Sequence, residues 1–224
     1  ILREITKEKN FKVYINKPFN NLSLNFINEF SNELKKDRDT YRYLDLIYLS
    51  NWCSKKKISE FKKRYVFKNL QLGRGLIFHI SPSNVPTNFV YSFIFGLLSG
   101  NSNIIKLPEK NFIQIDLLLS LINKILKNKN FKSLKNNIMF LKYNKKHNDI
   151  TEYISSNSDA RIVWGGDKTV MEIKKIPTKP TAIDINFPDK YSLCIISTDD
   201  LKINLKKLVN NFYNDTFLYD QNAC

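Results

Sequence analysis

From Gly73 onward the chain alternates short apolar runs with helix-length segments, and no other feature constrains its fold so tightly. Gly75-Leu76-Ile77-Phe78-His79-Ile80 has strand length and is closed by Ser81-Pro82-Ser83-Asn84-Val85-Pro86. Thr87 stands where it can cap an apolar helix to Leu98, with Gly100 as its stop. Asn103 to Leu107 reads as the next strand, broken by Pro108, and a helix follows from about Asn111 to Lys127. Ile138 to Leu141 is a third strand, ahead of a polar helix near Asp149 to Ser155. Ala160 to Trp164 turns at Gly165-Gly166 into a helix from Asp167 to about Lys175. After Pro177 and Pro180, Ala182 to Ile185 and Leu193 to Ile196 read as strands, and Leu201, Leu205, Leu208, Val209 and Phe212 mark an amphipathic helix. Strands alternating with helices over short connections build βαβ units with right-handed crossovers. The expectation is an α/β fold around an open parallel sheet, with ligands bound beyond the carboxyl ends of its strands.

Ahead of this region, residues 1–72 read as helical: Leu22, Phe26, Ile27, Phe30 and Leu34 recur at helical spacing, and Tyr41, Leu44, Leu46, Ile47 and Leu49 make a second apolar segment. The runs Lys55-Lys56-Lys57 and Lys62-Lys63-Arg64 around Ile58 and Phe61 read as a solvated helix face. A composition break near Pro188 to Lys190 marks a domain boundary, so residues 73–189 form one domain and 190–224 open another. With 42% hydrophobic and 13% aromatic residues the chain has ample apolar surface to bury, which excludes general disorder. The 36 Lys+Arg against 21 Asp+Glu give a net charge of +15. Arginine, the residue that base reading and phosphate clamping favour, is confined to Arg3, Arg38, Arg42, Arg64, Arg74 and Arg161. Lysine spread evenly among asparagine and isoleucine is a compositional bias, so no nucleic-acid partner is expected, whereas an anionic small ligand fits. Cys53, Cys194 and Cys224 lack metal-ligand spacing and form no disulfide framework, which points to reduced thiols in a cytoplasmic setting and no metal. The longest apolar stretch, Phe89 to Leu98, falls short of the ~20 residues a membrane span needs. A chain that starts at Ile1 and stops at Cys224 is expected to be cut at both ends.

Three loops follow strands and can carry chemistry: Ser81 to Pro86, Leu107 to Lys110 and Gly165 to Lys168. Neither GxGxxG nor a Walker loop is present. Gly165-Gly166 can present backbone N–H groups and a helix N-terminus to a pyrophosphate, or simply make a turn. Asn84, between Pro82 and Pro86, is either a turn residue or a preorganised amide donor for a developing oxyanion. Lys106 is either a surface lysine or a partner for ribose and phosphate oxygens. Cys194 sits in an apolar run, as buried structural cysteines do, whereas the polar stretch before Cys224 suits a reactive thiol.

Gly75 to Pro86 (GLIFHISPSNVP), Gly96 to Pro108 (GLLSGNSNIIKLP), Val163 to Asp167 (VWGGD) and Phe212 to Cys224 (FYNDTFLYDQNAC) together resemble the acyl-CoA reductases of the bioluminescence fatty-acid reductase (LuxC) type, a branch of the aldehyde dehydrogenase superfamily. The resemblance runs from about Gly73 to Cys224 and matches the helical first third only loosely. It implies an aldehyde-dehydrogenase-like architecture: a Rossmann-type dinucleotide-binding domain with a helical N-terminal region, then the start of a second, α/β catalytic domain. By resemblance Cys224 is the nucleophile and Asn84 shares the oxyanion hole with the nucleophile's own N–H. Ser81, Pro82 and Ser83 would line the nicotinamide side of the cleft, Lys106 and Glu109 the adenosine ribose, and Gly165 and Gly166 the pyrophosphate. Two departures stand out. Gly166 replaces the serine common in the wider superfamily. Thr181-Ala182-Ile183-Asp184-Ile185-Asn186 offers Asp184 where dehydrogenases carry a water-activating glutamate in a Glu-Leu-Gly-Gly segment.

The implied reaction is NADPH- or NADH-dependent reduction of an acyl thioester to an aldehyde through a cysteine thioester. The donor is acyl-CoA or an acyl-protein; an acyl-activating partner enzyme and a homo-oligomer belong to the same picture. The rival classes are a catalytically silent dinucleotide-binding or scaffold module and a basic nucleic-acid binder. Members of the superfamily run well past the nucleophile, and that part completes the catalytic domain. The 224-residue chain by itself is therefore expected to bind dinucleotide weakly and to be inert. Robust aldehyde formation by the isolated chain, assayed with acyl-CoA and reduced nicotinamide, would refute this.

Overall fold

Five parallel strands form one sheet in the order β3-β2-β1-β4-β5 in a computed structural model that describes residues 11–65 and 69–217. The strands are β1 (Leu76–Ile80), β2 (Ser102–Lys106), β3 (Ile138–Leu141), β4 (Ala160–Trp164) and β5 (Ile183–Phe187). The N-terminal helices are α1 (Asn21–Lys36), α2 (Leu44–Trp52) and α3 (Lys55–Tyr65). Between strands lie α4 (Asn88–Leu98), α5 (Ile113–Leu126), the short α6 (Lys132–Lys135), α7 (Asn148–Asn157) and α8 (Asp167–Lys174). The chain divides into two compact units, Ile1–Pro188 and Asp189–Cys224. The second contains α9 (Thr198–Phe217), which breaks its helical geometry at Asn204.

Burial follows from the crossovers. All five residues of β1 are buried, as expected of a central parallel strand covered on both faces. One face carries α4 and α5, with α1 and α2 packed outside them, so Phe26, Phe30, Leu46 and Leu49 join Phe89, Phe93, Leu118 and Ile122 in one cluster. Because α4 lies between the sheet and α1, it is apolar almost all round. The opposite face carries α7 and α8, whose Ile150, Ile154 and Val170 meet Leu76, Phe78, Ile80 and Val163. The Asn20 side chain caps α1 by accepting from the Ser23 N–H at 3.0 Å. Gly100 ends the α4 turn with φ of 82°, and a Cβ there would lie 2.2 Å from the Asn16 carbonyl oxygen, so only glycine fits. The lysines of α3 are exposed around the buried Ile58, as a solvated face requires.

Three expectations are corrected. Residues 193–196 form no strand: Leu193 and Ile195 are each 85% exposed, and no other extended ladder exists among the described residues of their unit. An apolar run without a hydrogen-bonding neighbour stays irregular. For the same reason Cys194 is exposed, and the buried cysteine is Cys53 in the helical cluster, where burial pushes its thiol pKa up. Thr87 occupies the position before α4, but its side chain makes no capping bond and is fully buried.

Arg161 is 1% exposed on β4 and lies across from Asp184 on β5. Its Nε donates to Asp184 Oδ1 at 2.9 Å and its Nη2 to Oδ2 at 2.7 Å, a bidentate pair. The remaining nitrogen donates to Ser155 Oγ at 3.3 Å and the Ile176 carbonyl at 3.2 Å. Removing one partner of such a pair strands a buried charge. Asp184→Ala is expected to cost roughly 3–5 kcal/mol, lowering the thermal midpoint by roughly 10 °C, measurable by calorimetry.

Candidate active site

Strand order reverses between β1 and β4, since the chain builds β2 and β3 on one side of β1 before returning to the other. In open parallel sheets this reversal leaves a crevice beyond the carboxyl ends, where ligands bind. Leu141, Lys106, Ile80, Val163 and Asn186 form one register row at that edge. The loops after β1 and β4 thus leave adjacent strands and feed helices on opposite faces. They contain Ser81, Pro82, Ser83 and Asn84 on one side and Gly165 and Gly166 on the other.

The first loop continues the strand for one residue, where the Ser81 N–H donates to the Lys106 carbonyl at 3.2 Å. Ser81 and Pro82 are half-buried, Ser83 and Asn84 exposed, and Val85 and Pro86 buried, so the loop is pinned on its far side while its middle faces solvent. The Ser81 hydroxyl is closed to solvent without a hydrogen-bond partner, as is the Asn186 side-chain carbonyl in the edge row. An unsatisfied buried polar atom costs about 1–3 kcal/mol. Thr40, Asn88 and Asn137 carry such oxygens elsewhere; the two at this edge stand where a ligand can pair them.

The second element is Lys106, at the end of β2. Its side chain is 14% exposed, 3.8 Å from the Glu109 carboxylate and 4.8 Å above the centre of the Tyr143 ring. Burial pushes the ammonium pKa down, Glu109 pulls it up, and Lys145 pushes it down further. Glu109 also accepts from the Asn144 amide and the Lys145 N–H, each at 2.9 Å, tying the loop after β2 to the loop after β3. Tyr143 is held by a 2.9 Å hydrogen bond between its hydroxyl and Thr151, and burial raises its pKa to about 12.

At the third element, the Gly165 N–H donates to the Phe187 carbonyl at 3.3 Å and so is committed to β5. A Cβ on Gly165 would press against Thr169 at 3.2 Å. Gly166 immediately precedes α8, and its carbonyl accepts the Val170 N–H at 3.1 Å. The first helical turn therefore starts at the switch point, with Asp167 as its acidic residue. Ahead of the glycines, Trp164 stacks on Phe187 with ring centres 3.8 Å apart and planes 7° apart.

Beneath the edge lies a polar chain that no motif announced. Trp164 Nε1 donates to Ser92 Oγ at 3.1 Å, Ser92 Oγ lies 2.8 Å from His79 Nδ1, and His79 Nε2 lies 3.0 Å from Asn103 Oδ1. His79 is fully buried. Cys224, the expected nucleophile, lies outside the described residues, so the structure brings together the two loops and Lys106 but does not place the thiol. Sequence reasoning missed Tyr143, Ser92 and Asn103. The available signals were the hydroxyl inside the apolar run of α4 and a polar start to β2. Among the described residues no cluster of His, Cys, Asp and Glu is suited to a metal, and no helix is long and apolar enough to cross a membrane.

Residues 23–224 match the family of acyl-CoA reductase (LuxC). Among solved structures, a bifunctional proline utilization A (PutA) protein superposes with a TM-score of 0.57 at 14% identity, over 74% of this chain and 19% of that one. Proline utilization A from Bradyrhizobium japonicum gives 0.55 at 15% identity with the same two coverages, 74% and 19%. An NAD-dependent benzaldehyde dehydrogenase from Corynebacterium glutamicum gives 0.53 at 13% identity, over 73% of this chain and 40% of that one. These likenesses show a shared fold, of the aldehyde dehydrogenase kind. The chain spans well under two thirds of each of these proteins. No curated protein matches it.

Burial pushes the His79 pKa down from 6.5 to about 4, against an opposing pull from the Asn103 hydrogen bond. The unfolded chain therefore binds the extra proton between these values, and stability rises with pH across that window. The contribution is fully present above pH 6.5 and is lost as pH falls to about 4; roughly 3 kcal/mol is at stake. Unfolding free energies of wild type and His79→Gln, measured from pH 4 to 7, should show the variant with the flatter profile. Parallel profiles would contradict a neutral buried ring.

Proposed function

The chain belongs to the acyl-CoA reductase (LuxC) family, and on that premise we propose that the protein reduces an acyl thioester to an aldehyde with a reduced nicotinamide dinucleotide. The observation that carries this reading is the position of the proline-flanked Asn84 loop, which leaves the sheet at the switch point next to the Gly165-Gly166 turn. A dinucleotide fits the residues present. Two orphaned polar atoms, Ser81 Oγ and Asn186 Oδ1, mark the edge, and Lys106 offers an oriented ammonium for ribose or phosphate oxygens. In this reading Ser81, Pro82 and Ser83 hold the nicotinamide side, Lys106 and Glu109 the adenosine ribose, and Gly165 and Gly166 the pyrophosphate. NADPH is the proposed form.

The chemistry of the chain's own groups follows. The Cys224 thiolate attacks the acyl carbonyl of an acyl-CoA or acyl-protein donor, and the donor thiol leaves as the enzyme thioester forms. The Asn84 amide donates to the oxyanion of each tetrahedral state, a role that the flanking Pro82 and Pro86 serve by limiting the loop's freedom. When bound, the dinucleotide supplies the hydride that reduces the thioester carbonyl. Breaking the carbon–sulfur bond then releases the aldehyde and restores the thiol. Asp184, locked by Arg161 in the amino half of β5, is no base for water. That supports a reductase, which must spare its thioester from hydrolysis. A cytoplasmic homo-oligomer working with an acyl-activating enzyme completes the proposal.

Acyl-CoA-dependent oxidation of NADPH by the full-length protein tests it. Cys224→Ala should abolish turnover, and Asn84→Ala should lower kcat by ~10²–10³ while leaving NADPH binding intact. Normal turnover by the Cys224 variant would overturn the cysteine-thioester assignment, whereas no turnover by the wild-type protein would leave a silent dinucleotide-binding module as the better reading.

A further inference from the structure

We infer that Trp164 is a positioning residue for the dinucleotide, its indole N–H anchored through Ser92 and His79 so that the Gly165-Gly166 turn and the helix behind Asn84 form one rigid frame. The inference rests on the dinucleotide-binding reading above and goes beyond it in naming residues that touch no ligand.

The hydrogen-bond chain has only one direction. Asn103 Nδ2 donates to the Asn101 carbonyl at 2.8 Å, which fixes Oδ1 as the acceptor facing His79. His79 must then carry its proton on Nε2, leaving Nδ1 as an acceptor for the Ser92 hydroxyl. Ser92, having donated, accepts the Trp164 N–H with its remaining lone pair. The neutral, deeply buried state of His79 agrees with this assignment. Each bond of the chain therefore has a single permitted direction, and reversing any one would leave two donors or two acceptors facing each other.

The chain connects elements that must stay in register for binding. Trp164 is the last residue of β4, directly before the glycine turn. Its ring lies flat on Phe187, whose carbonyl takes the Gly165 N–H. Ser92 sits in α4, whose preceding loop holds Asn84. His79 lies one residue before Ile80 on β1, and Asn103 lies on the neighbouring β2, opposite Ile77 and two register steps below His79. The helix approaches so closely that a Cβ on Gly96 would come 2.0 Å from Asn103 Oδ1 and 2.9 Å from His79 Nε2. Packing alone would be satisfied by phenylalanine at position 164; the N–H adds orientation.

The test uses the full-length protein with Trp164→Phe, Ser92→Ala and the double variant, measuring NADPH Kd by calorimetry, KM for the acyl thioester, and thermal midpoints. Each single variant should weaken NADPH binding ~10-fold, the scale of one buried hydrogen bond, while KM for the acyl thioester stays within about twofold. The double variant should bind no worse than either single one, because both break the same chain. Kd unchanged in Trp164→Phe, with only the midpoint lowered, would overturn the inference and leave the functional reading standing. Effects that multiply in the double variant would likewise overturn it. Wild-type protein that binds no reduced dinucleotide would bring down the functional reading and this inference with it.

Discussion

The handedness of the parallel crossover sets everything at the candidate site. Each strand must be returned to the same end of the sheet by a helix, and right-handed connections place helices on one face while the sheet grows one way and on the other when it grows back. Hence α4 and α5 cover one face, and α7 and α8 the other. At the centre of the sheet, the neighbouring strands β1 and β4 send their helices apart. The crevice is a consequence of topology, and the side chains furnish it. Had β4 added beyond β3, Asn84 and the glycine turn would stand at separate places on the edge.

Within that frame the buried polar groups divide into two kinds. Arg161 and His79 are completely enclosed, yet each has partners that match its donors and acceptors. They sit in the body of the sheet, where an unmatched group would only cost stability. Ser81 and Asn186 have buried oxygens with no partner, and both stand at the carboxyl edge. Thr40, Asn88 and Asn137 carry the same kind of unpaired buried oxygen away from that register row, so what distinguishes Ser81 and Asn186 is that a ligand at the carboxyl edge can relieve their cost.

The fold was legible wherever burial is two-sided. The runs Leu76–Ile80 and Ala160–Trp164 are continuously apolar apart from His79 and Arg161, and strand length with flanking glycines identified them. The same signal misled at Leu193 to Ile196, because an apolar run says nothing about whether a neighbouring strand exists. The placement of Asn84, Lys106, Glu109 and the two glycines at the carboxyl edge was legible locally, since each ends or follows a strand. Tyr143, Ser92 and Asn103 were not. Their roles come from pairings across the sheet: Lys106 with Tyr143, or His79 with both Ser92 and Asn103. Neither motif nor periodicity encodes such distant partners.

The charge of the chain illustrates the same division. Most lysines stand on solvated faces, as along α3, where ion pairs such as Lys57–Glu60 are exposed and screened. A net charge of +15 made of such residues attracts anions without choosing among them. Lys106 differs by its surroundings. Its stem is buried, its ammonium lies over Tyr143 and near Glu109, and both of those are fixed by the loop and helix after β3. An anion arriving there meets a charge that has already lost its rotamer freedom, so little ordering entropy remains to oppose binding. On the proposed reading, selectivity in so basic a protein rests on Lys106, a cation with a prepared geometry at the carboxyl edge, and the surrounding lysines add long-range attraction.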